Sequence, residues 1–272
     1  MDSIDLKSVN SHFEFGANWK SYARTIDGER ERLSFADLEK LAGGRLDSRS
    51  FLDIGCGSGL SSLSAARLGI SRLYAIDIDP DSVSTTRELL ESRDVRVPKS
   101  ITVDSVFDLT PDRVGKFDVV YSWGVLHHTG SMWEAIDKAC ALVADSGQFM
   151  LAIYLRTPFC GMWRWEKRLY TASPAPVKWI IERSYLLLSV LRKLLTGRNP
   201  FAYAREYARN RGMSWIHDIR DWVGGYPYES ASTEAIVSFV EARGFRLERS
   251  FGTTPDFGLF GTHCGEWSFR KT

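Results

Sequence analysis

Phe51-Leu52-Asp53-Ile54-Gly55-Cys56-Gly57-Ser58-Gly59-Leu60 carries an apolar strand into a turn with glycine at every second position, then opens onto a helix. Glycine lets the backbone turn tightly and lets a ligand lie directly against the main chain. The free N–H groups and positive dipole end of the following helix favour a carboxylate or phosphate. The spacing narrows the ligand. A dinucleotide fingerprint, G-x-G-x-x-G, would place its last glycine at Leu60 counted from Gly55 and Gly57, or at Ser62 counted from Gly57 and Gly59. No Gly-Lys-Ser/Thr follows, which excludes a Walker loop.

Outward from this turn, strands and helices alternate. A helix over about 60–68 turns Leu60 and Leu63 inward, and Arg72 to Asp77 is a second buried strand. Asp79 caps a helix beginning at Pro80, with Val83, Thr86 and Leu90 on its inner face. Ser100 to Val103 is a third strand ending at Asp104, and Phe117 to Ser122 a fourth. Ser131 and Glu134 have the spacing of a capping box, followed by Trp133, Ile136, Cys140 and Val143 on one helical face. Gly147 to Tyr154 is a fifth strand. This rhythm predicts a doubly wound α/β domain with a parallel sheet. From Arg156 to about Glu229 the chain is helical, aromatic and basic instead. A helix near Ser232 to Arg243 and two strands, Phe245 to Phe251 and Cys264 to Arg270, close the chain as an antiparallel pair.

Composition sets the context. With 44% hydrophobic and 25% charged residues over 272 positions, the chain fits one globular domain with a large insertion. Cys56, Cys140, Cys160 and Cys264 form no C-x-x-C pair, which argues against a disulfide framework or structural metal and suits a reducing cytosol. The start, Met1-Asp2-Ser3-Ile4-Asp5, is acidic and lacks the apolar core of a signal peptide. The net charge of +1 hides an asymmetry: residues 156–212 hold twelve Lys/Arg against three Glu, so the remainder is −8. Such a split indicates a separate working surface.

The pattern D-x-G-x-G-x-G over Asp53 to Gly59 resembles motif I of the class I S-adenosylmethionine-dependent methyltransferases. The order of elements is similar to that family's seven-stranded, Rossmann-like sheet over essentially the whole chain. The resemblance implies S-adenosylmethionine as cofactor, its methionine end held by Asp53, Gly55, Cys56, Gly57 and Gly59. Asp77, 24 residues beyond Asp53, would accept both ribose hydroxyls, with Ile78 beside it. Dinucleotide folds use an acid there too, so Asp77 alone does not discriminate. Asp104 would bind the adenine amino group, with Ser105 and Val106 flanking the ring. Ser122-Trp123-Gly124-Val125-Leu126-His127-His128 resembles the stretch lining the sulfonium and the substrate mouth. Trp123 either packs on adenine or closes the pocket, or else fills the core. Trp19 and Tyr22 share a helical face in an N-terminal segment that either folds over the cofactor as a lid or pins the N-terminus to the core. Met213-Ser214-Trp215-Ile216-His217-Asp218-Ile219-Arg220-Asp221-Trp222-Val223-Gly224-Gly225-Tyr226-Pro227-Tyr228-Glu229 is similar to a signature of a little-characterised bacterial branch, and names no substrate. The implied division is 1–50 lid, 51–155 cofactor-binding core, 156–230 insertion capping the acceptor site, and 231–272 completing the core.

Methyl transfer from a sulfonium has a good, neutral leaving group, so alignment dominates and can supply up to ~7–11 kcal/mol. A hydroxyl acceptor also has to lose its proton, a step worth about 10²–10⁴-fold. Histidine is the usual base. The first candidate is His217, oriented by Asp218 or Asp221; His127 and His128 are second candidates. Within the insertion, Val177 to Leu195 is an expected helix with Lys178, Glu182, Ser189 and Lys193 on one narrow face. Trp179, Ile180, Leu187, Leu191 and Leu194 make the opposite, apolar face. Either that face packs on the sheet domain, or it meets a membrane peripherally, with Arg164, Lys167, Arg168, Arg192, Lys193 and Arg198 touching lipid or a phosphate-bearing acceptor. The expectation is O-methylation of a small or glycan-like acceptor, either free or lipid-linked, by a cytoplasmic protein that is either unattached or peripheral to the inner membrane face. N- or C-methylation, and a cofactor-binding protein whose basic arm binds RNA or a protein partner, stay open. No RNA-binding module is visible.

Overall fold

The computed structural model describes residues 15–197, 199–200, 215–255, 257 and 261–272. Seven strands form one sheet: β1 (Ser50–Ile54), β2 (Arg72–Asp77), β3 (Lys99–Val103), β4 (Phe117–Trp123), β5 (Val143–Tyr154), β6 (Phe245–Phe251) and β7 (Cys264–Lys271). Their order is β3-β2-β1-β4-β5-β7-β6. β1 pairs parallel with β2 and β4, and β4 with β5, while β7 lies antiparallel between β5 and β6. Strand order reverses between β1 and β4. In open α/β sheets a ligand crevice forms outside the strands' carboxyl ends at such a switch point.

The helices in chain order are α1 (Phe15–Ala23), α2 (Gly28–Ala42), α3 (Leu60–Arg67), α4 (Pro80–Ser92), α5 (Pro111–Val114), α6 (Met132–Ala141), α7 (Cys160–Ala172), α8 (Ala175–Leu195), α9 (Trp215–Gly224) and α10 (Thr233–Glu241). Alternate residues of each central strand serve opposite faces. Leu52, Ile54, Val120, Phe149 and Leu151 meet Ile136 and Ala139 of α6 and Ile236 and Val240 of α10. Phe51, Val119, Tyr121 and Met150 meet Leu38, Leu63, Val83 and Leu90 from α2, α3 and α4. Burial on both faces explains why the central strands read as unbroken apolar runs.

Two local expectations are corrected. Ser131 stands at the N-cap of α6, but its side chain makes no cap bond. The Met132 N–H instead donates to Glu229 Oε2 at 2.9 Å, a partner 97 residues away. Trp123 is not in the core: it is 48% exposed at the end of β4 and donates its indole N–H to Glu266 on β7.

Candidate active site

The glycine turn is built from its main chain. The Gly55 and Cys56 N–H groups both donate to Ile76 O, at 2.8 and 2.9 Å, lashing the turn to β2. Gly59 has φ of +81°, and a Cβ there would lie 2.8 Å from the Thr86 Cα, so neither the conformation nor the space admits a side chain. A Cβ on Gly55 would strike the Val125 side chain, which sets the turn after β4 directly against the turn after β1. The Cys56 thiol is buried, and burial beside Asp77 and Asp53 pushes its pKa well up, so it is a packing group here.

The two strand-end acids have different surroundings. Asp53 lies beneath the turn, almost wholly buried, and accepts the Ser62 hydroxyl at 2.6 Å. Burial raises its pKa to about 7. Asp77 accepts the Gly57 N–H on Oδ2 and the Asp79 N–H on Oδ1, each at 3.0 Å. Burial raises it to about 6, partly countered by those main-chain donors. Ile78, half-buried, follows it. Asp104 is held by the Arg113 guanidinium, with contacts of 2.6 and 3.2 Å, and by the Ser105 N–H. Ser105 turns its own hydroxyl to the Phe107 N–H, and Val106 is buried against the sheet core. Ser122 is buried and donates to Ile54 O, so it braces β4 against β1.

α1 stands over the turn. The Trp19 indole would lie 3.4 Å from a Cβ on Gly57, and Tyr22 meets Trp19 edge-on with ring centroids 5.7 Å apart. Asp79 fixes this placement through a double role that the sequence hid. Its Oδ1 accepts the Asp81 N–H and caps α4, while Oδ2 accepts the Gly16 N–H of α1 at 2.8 Å. A carboxylate suits the positive end of a helix, and here it serves two. Tyr22 is itself buried, so the segment is both a cover over the turn and an anchor to the core.

The two histidines after β4 are not equivalent. His127 is fully buried between His128 and Tyr154, at centroid distances of 4.3 and 4.1 Å. Neither of its ring nitrogens has a hydrogen-bond partner, and burial drives its pKa well down, so it is neutral. His128 is half-buried, and its Nδ1 lies 2.7 Å from Pro227 O. A carbonyl only accepts, so Nδ1 carries the hydrogen and the neutral ring has its basic lone pair on Nε2. His217 and Asp218 lie in α9, and Asp221 with them, but their side chains fall outside the described residues, as does Arg198.

The end of the signature stretch anchors this turn. Besides Pro227 O, the Glu229 N–H donates to His127 O at 3.0 Å while its carboxylate holds the start of α6. Tyr228 packs with Cys160 and Trp163 of α7 and with Tyr154. The insertion leaves the sheet at Arg156 and returns at Ala231, and the Arg156 N–H donates to Ala231 O at 2.9 Å. Within it, α9 packs on α7 and α8 and also reaches α1, joining the insertion to the cover over the glycine turn. Lys167, expected at a lipid surface, is instead fully buried. Its ammonium donates to Trp222 O and sits 3.5 Å from the Trp222 ring centroid. Pro227, Glu229 and Lys167 owe their roles to partners far along the chain; only the density of the signature stretch hinted at Pro227 and Glu229.

This sheet order, with a glycine turn at the switch point and an acid ending β2, is the architecture of class I S-adenosylmethionine-dependent methyltransferases. The pattern of the methyltransferase-domain family matches residues 26–248, and the chain belongs to that family. Magnesium protoporphyrin IX methyltransferase from Synechocystis PCC 6803, with bound S-adenosylmethionine, shares the fold with a TM-score of 0.58 at 14% identity, covering 100% of both chains. The N-methyltransferase NodS from Bradyrhizobium japonicum WM9, in complex with S-adenosyl-L-homocysteine, gives 0.53 at 14% identity over 95% of this chain and 98% of its own. In sequence, the ubiquinone biosynthesis O-methyltransferase of Xanthomonas euvesicatoria pv. vesicatoria (strain 85-10) is 40% identical over 129 residues, 47% of this chain and 50% of its own. The chain thus matches about half the length of that relative.

Proposed function

We propose that this protein transfers a methyl group from S-adenosylmethionine to a hydroxyl of a small or glycan-like acceptor, with His128 as general base. Bound at the β1/β4 switch point, the cofactor supplies an electrophilic methyl group on positively charged sulfur. The residues present fit it. The glycines of the Gly55–Gly59 turn let groups come right up to its main chain, as the Trp19 indole does at Gly57, and Asp77 stands at its edge with carboxylate oxygens suited to paired hydroxyls. Asp104 is the corresponding acceptor for an amino group, since its Oδ2 has a second lone pair beyond its Arg113 contact. Trp19 covers the turn and excludes water there.

The observation that carries oxygen methylation is the His128–Pro227 hydrogen bond. It fixes the ring's tautomer on a turn whose Val125 already touches Gly55. His128 Nε2 takes the acceptor's hydroxyl proton as the oxygen receives the methyl group. The O-methyltransferase names of the partial sequence relatives support the same reading. His217 on α9 is the competing base, and the two are separable. In turnover assays on a panel of hydroxylated acceptors, His128→Gln should lower kcat about 10²–10⁴-fold with cofactor binding intact. Undiminished turnover in that variant, with loss in His217→Gln, would move the role to α9.

A further inference from the structure

α8 turns only part of its apolar surface inward: Ile181, Tyr185 and Leu186 pack with Tyr170, Ile219 and Val223. Its narrow polar side faces inward beside them: Glu182, the buried residue of this helix, accepts the Tyr170 hydroxyl at 2.8 Å and the Arg220 guanidinium at 2.9 Å. A second, broader apolar side faces out. Ile180, Leu187, Leu188, Leu191, Leu194 and Leu195 are each 45–89% exposed. At 3.6 residues per turn they fall within an arc of about 120°. The same helix geometry puts Arg183 and Arg192 at the two margins of that arc. Met162, Trp165 and Leu169 of α7 add to the same exposed set. Among the described residues, only Val103, Trp123 and Phe257 of the large exposed apolar side chains lie outside these two helices.

Charge decides what would cover this surface. The ionic residues exposed on α7 and α8 are Arg164, Arg168, Arg183 and Arg192, with Lys178 and Lys193 part-exposed. The acids do not reach solvent: Glu182 is buried in its pairs, and both carboxylate oxygens of Glu166 are inaccessible. A second protein would be expected to meet scattered charges of both signs, whereas leucines bordered only by cations match acyl chains beneath anionic headgroups. No described helix is long and apolar enough to cross a membrane, so the contact lies in the plane of the interface.

We propose that the outward face of α7 and α8 docks on anionic phospholipid bilayers, with α8 lying along the surface and its leucines among the acyl chains. The proposal does not depend on which atom is methylated or on which histidine is the base. It places the acceptor mouth beside a bilayer, because α9 packs on both α8 and α1.

Vesicle flotation of the full chain tests it, using phosphatidylcholine alone and phosphatidylcholine with about one-third phosphatidylglycerol. The protein should float with the anionic vesicles roughly tenfold or more better than with the neutral ones, and less so as salt rises. Leu187→Ser/Leu191→Ser should abolish flotation, and Arg183→Gln/Arg192→Gln should remove the preference for anionic lipid. All four substituted side chains are surface groups, and circular dichroism melts identify any variant that fails to fold; the arginine pair then stands as the independent test. Absence of flotation on anionic vesicles at low salt overturns the proposal. So does undiminished flotation of the leucine variant. A dimer in sedimentation that the leucine substitutions dissociate, or salt-sensitive RNA binding by a protein that ignores vesicles, would assign the face to another occupant.

Discussion

Asp53 and Asp77 end neighbouring strands of one sheet, yet burial gives them different work. Asp77 stands at the edge of the glycine turn, and its two oxygens act solely as acceptors only while it is ionised. With its pKa raised to about 6, affinity for S-adenosylmethionine should weaken as pH falls through that value. Removing the acceptor altogether, in Asp77→Ala, should cost about 1.5–3 kcal/mol, or roughly 10–100-fold in Kd by calorimetry. Asp53 is buried under the turn, and its folded pKa of about 7 lies above the usual carboxylate value. The folded state therefore binds its proton more tightly than the unfolded chain. The stability it contributes is present at low pH and is lost as pH rises through about 7. Melting curves should show a lower Tm at about pH 8 than at about pH 5.5, and Asp53→Asn, which keeps an acceptor for Ser62, should flatten that difference.

Among the elements, α1 is tied to α4 by the Gly16–Asp79 hydrogen bond and by the Lys20–Asp81 ion pair, and the first of these can be cut selectively. In Asp79→Asn one oxygen becomes an NH2 donor, so the side chain can cap α4 or receive Gly16 but not both. Amide exchange across α1 should speed up at least several-fold, while the global Tm moves little, and cofactor affinity should fall as the Trp19 cover loosens. If exchange in α1 matches the parent, the Gly16 contact does not hold the cover. α8 shows where sequence periodicity stops informing. A helix's apolar stripe is visible from spacing alone, but which side its neighbours occupy is not. Glu182 lies inward because Tyr170 and Arg220, 12 and 38 residues away, satisfy its carboxylate.

Over the whole molecule, what was legible followed from local physics. Parallel strands buried on both faces read as apolar runs between Gly and Asp, and the strand spans Arg72–Asp77 and Phe245–Phe251 agree with the structure. The glycine turn, the Asp79 cap and the antiparallel closing pair were legible for the same reason. What stayed hidden are pairings between distant segments, such as His128 with Pro227, Met132 with Glu229 and Trp123 with Glu266. No spacing encodes them: the first two depend on how the insertion folds back on the sheet, and the third on where β7 enters beside β5. The Trp123 position, half in solvent, was ambiguous for that reason: a strand-end tryptophan looks the same whether its neighbour is core or cleft.

The main-chain bond between Arg156 and Ala231 has a consequence of its own. Departure and return share one doorway beside β5, so the sheet needs nothing from the intervening segment to close its own ladder. A stretch lengthened or trimmed between those two residues would leave the strand pairing whole, provided Pro227 and Glu229 stayed in place to hold the turn after β4.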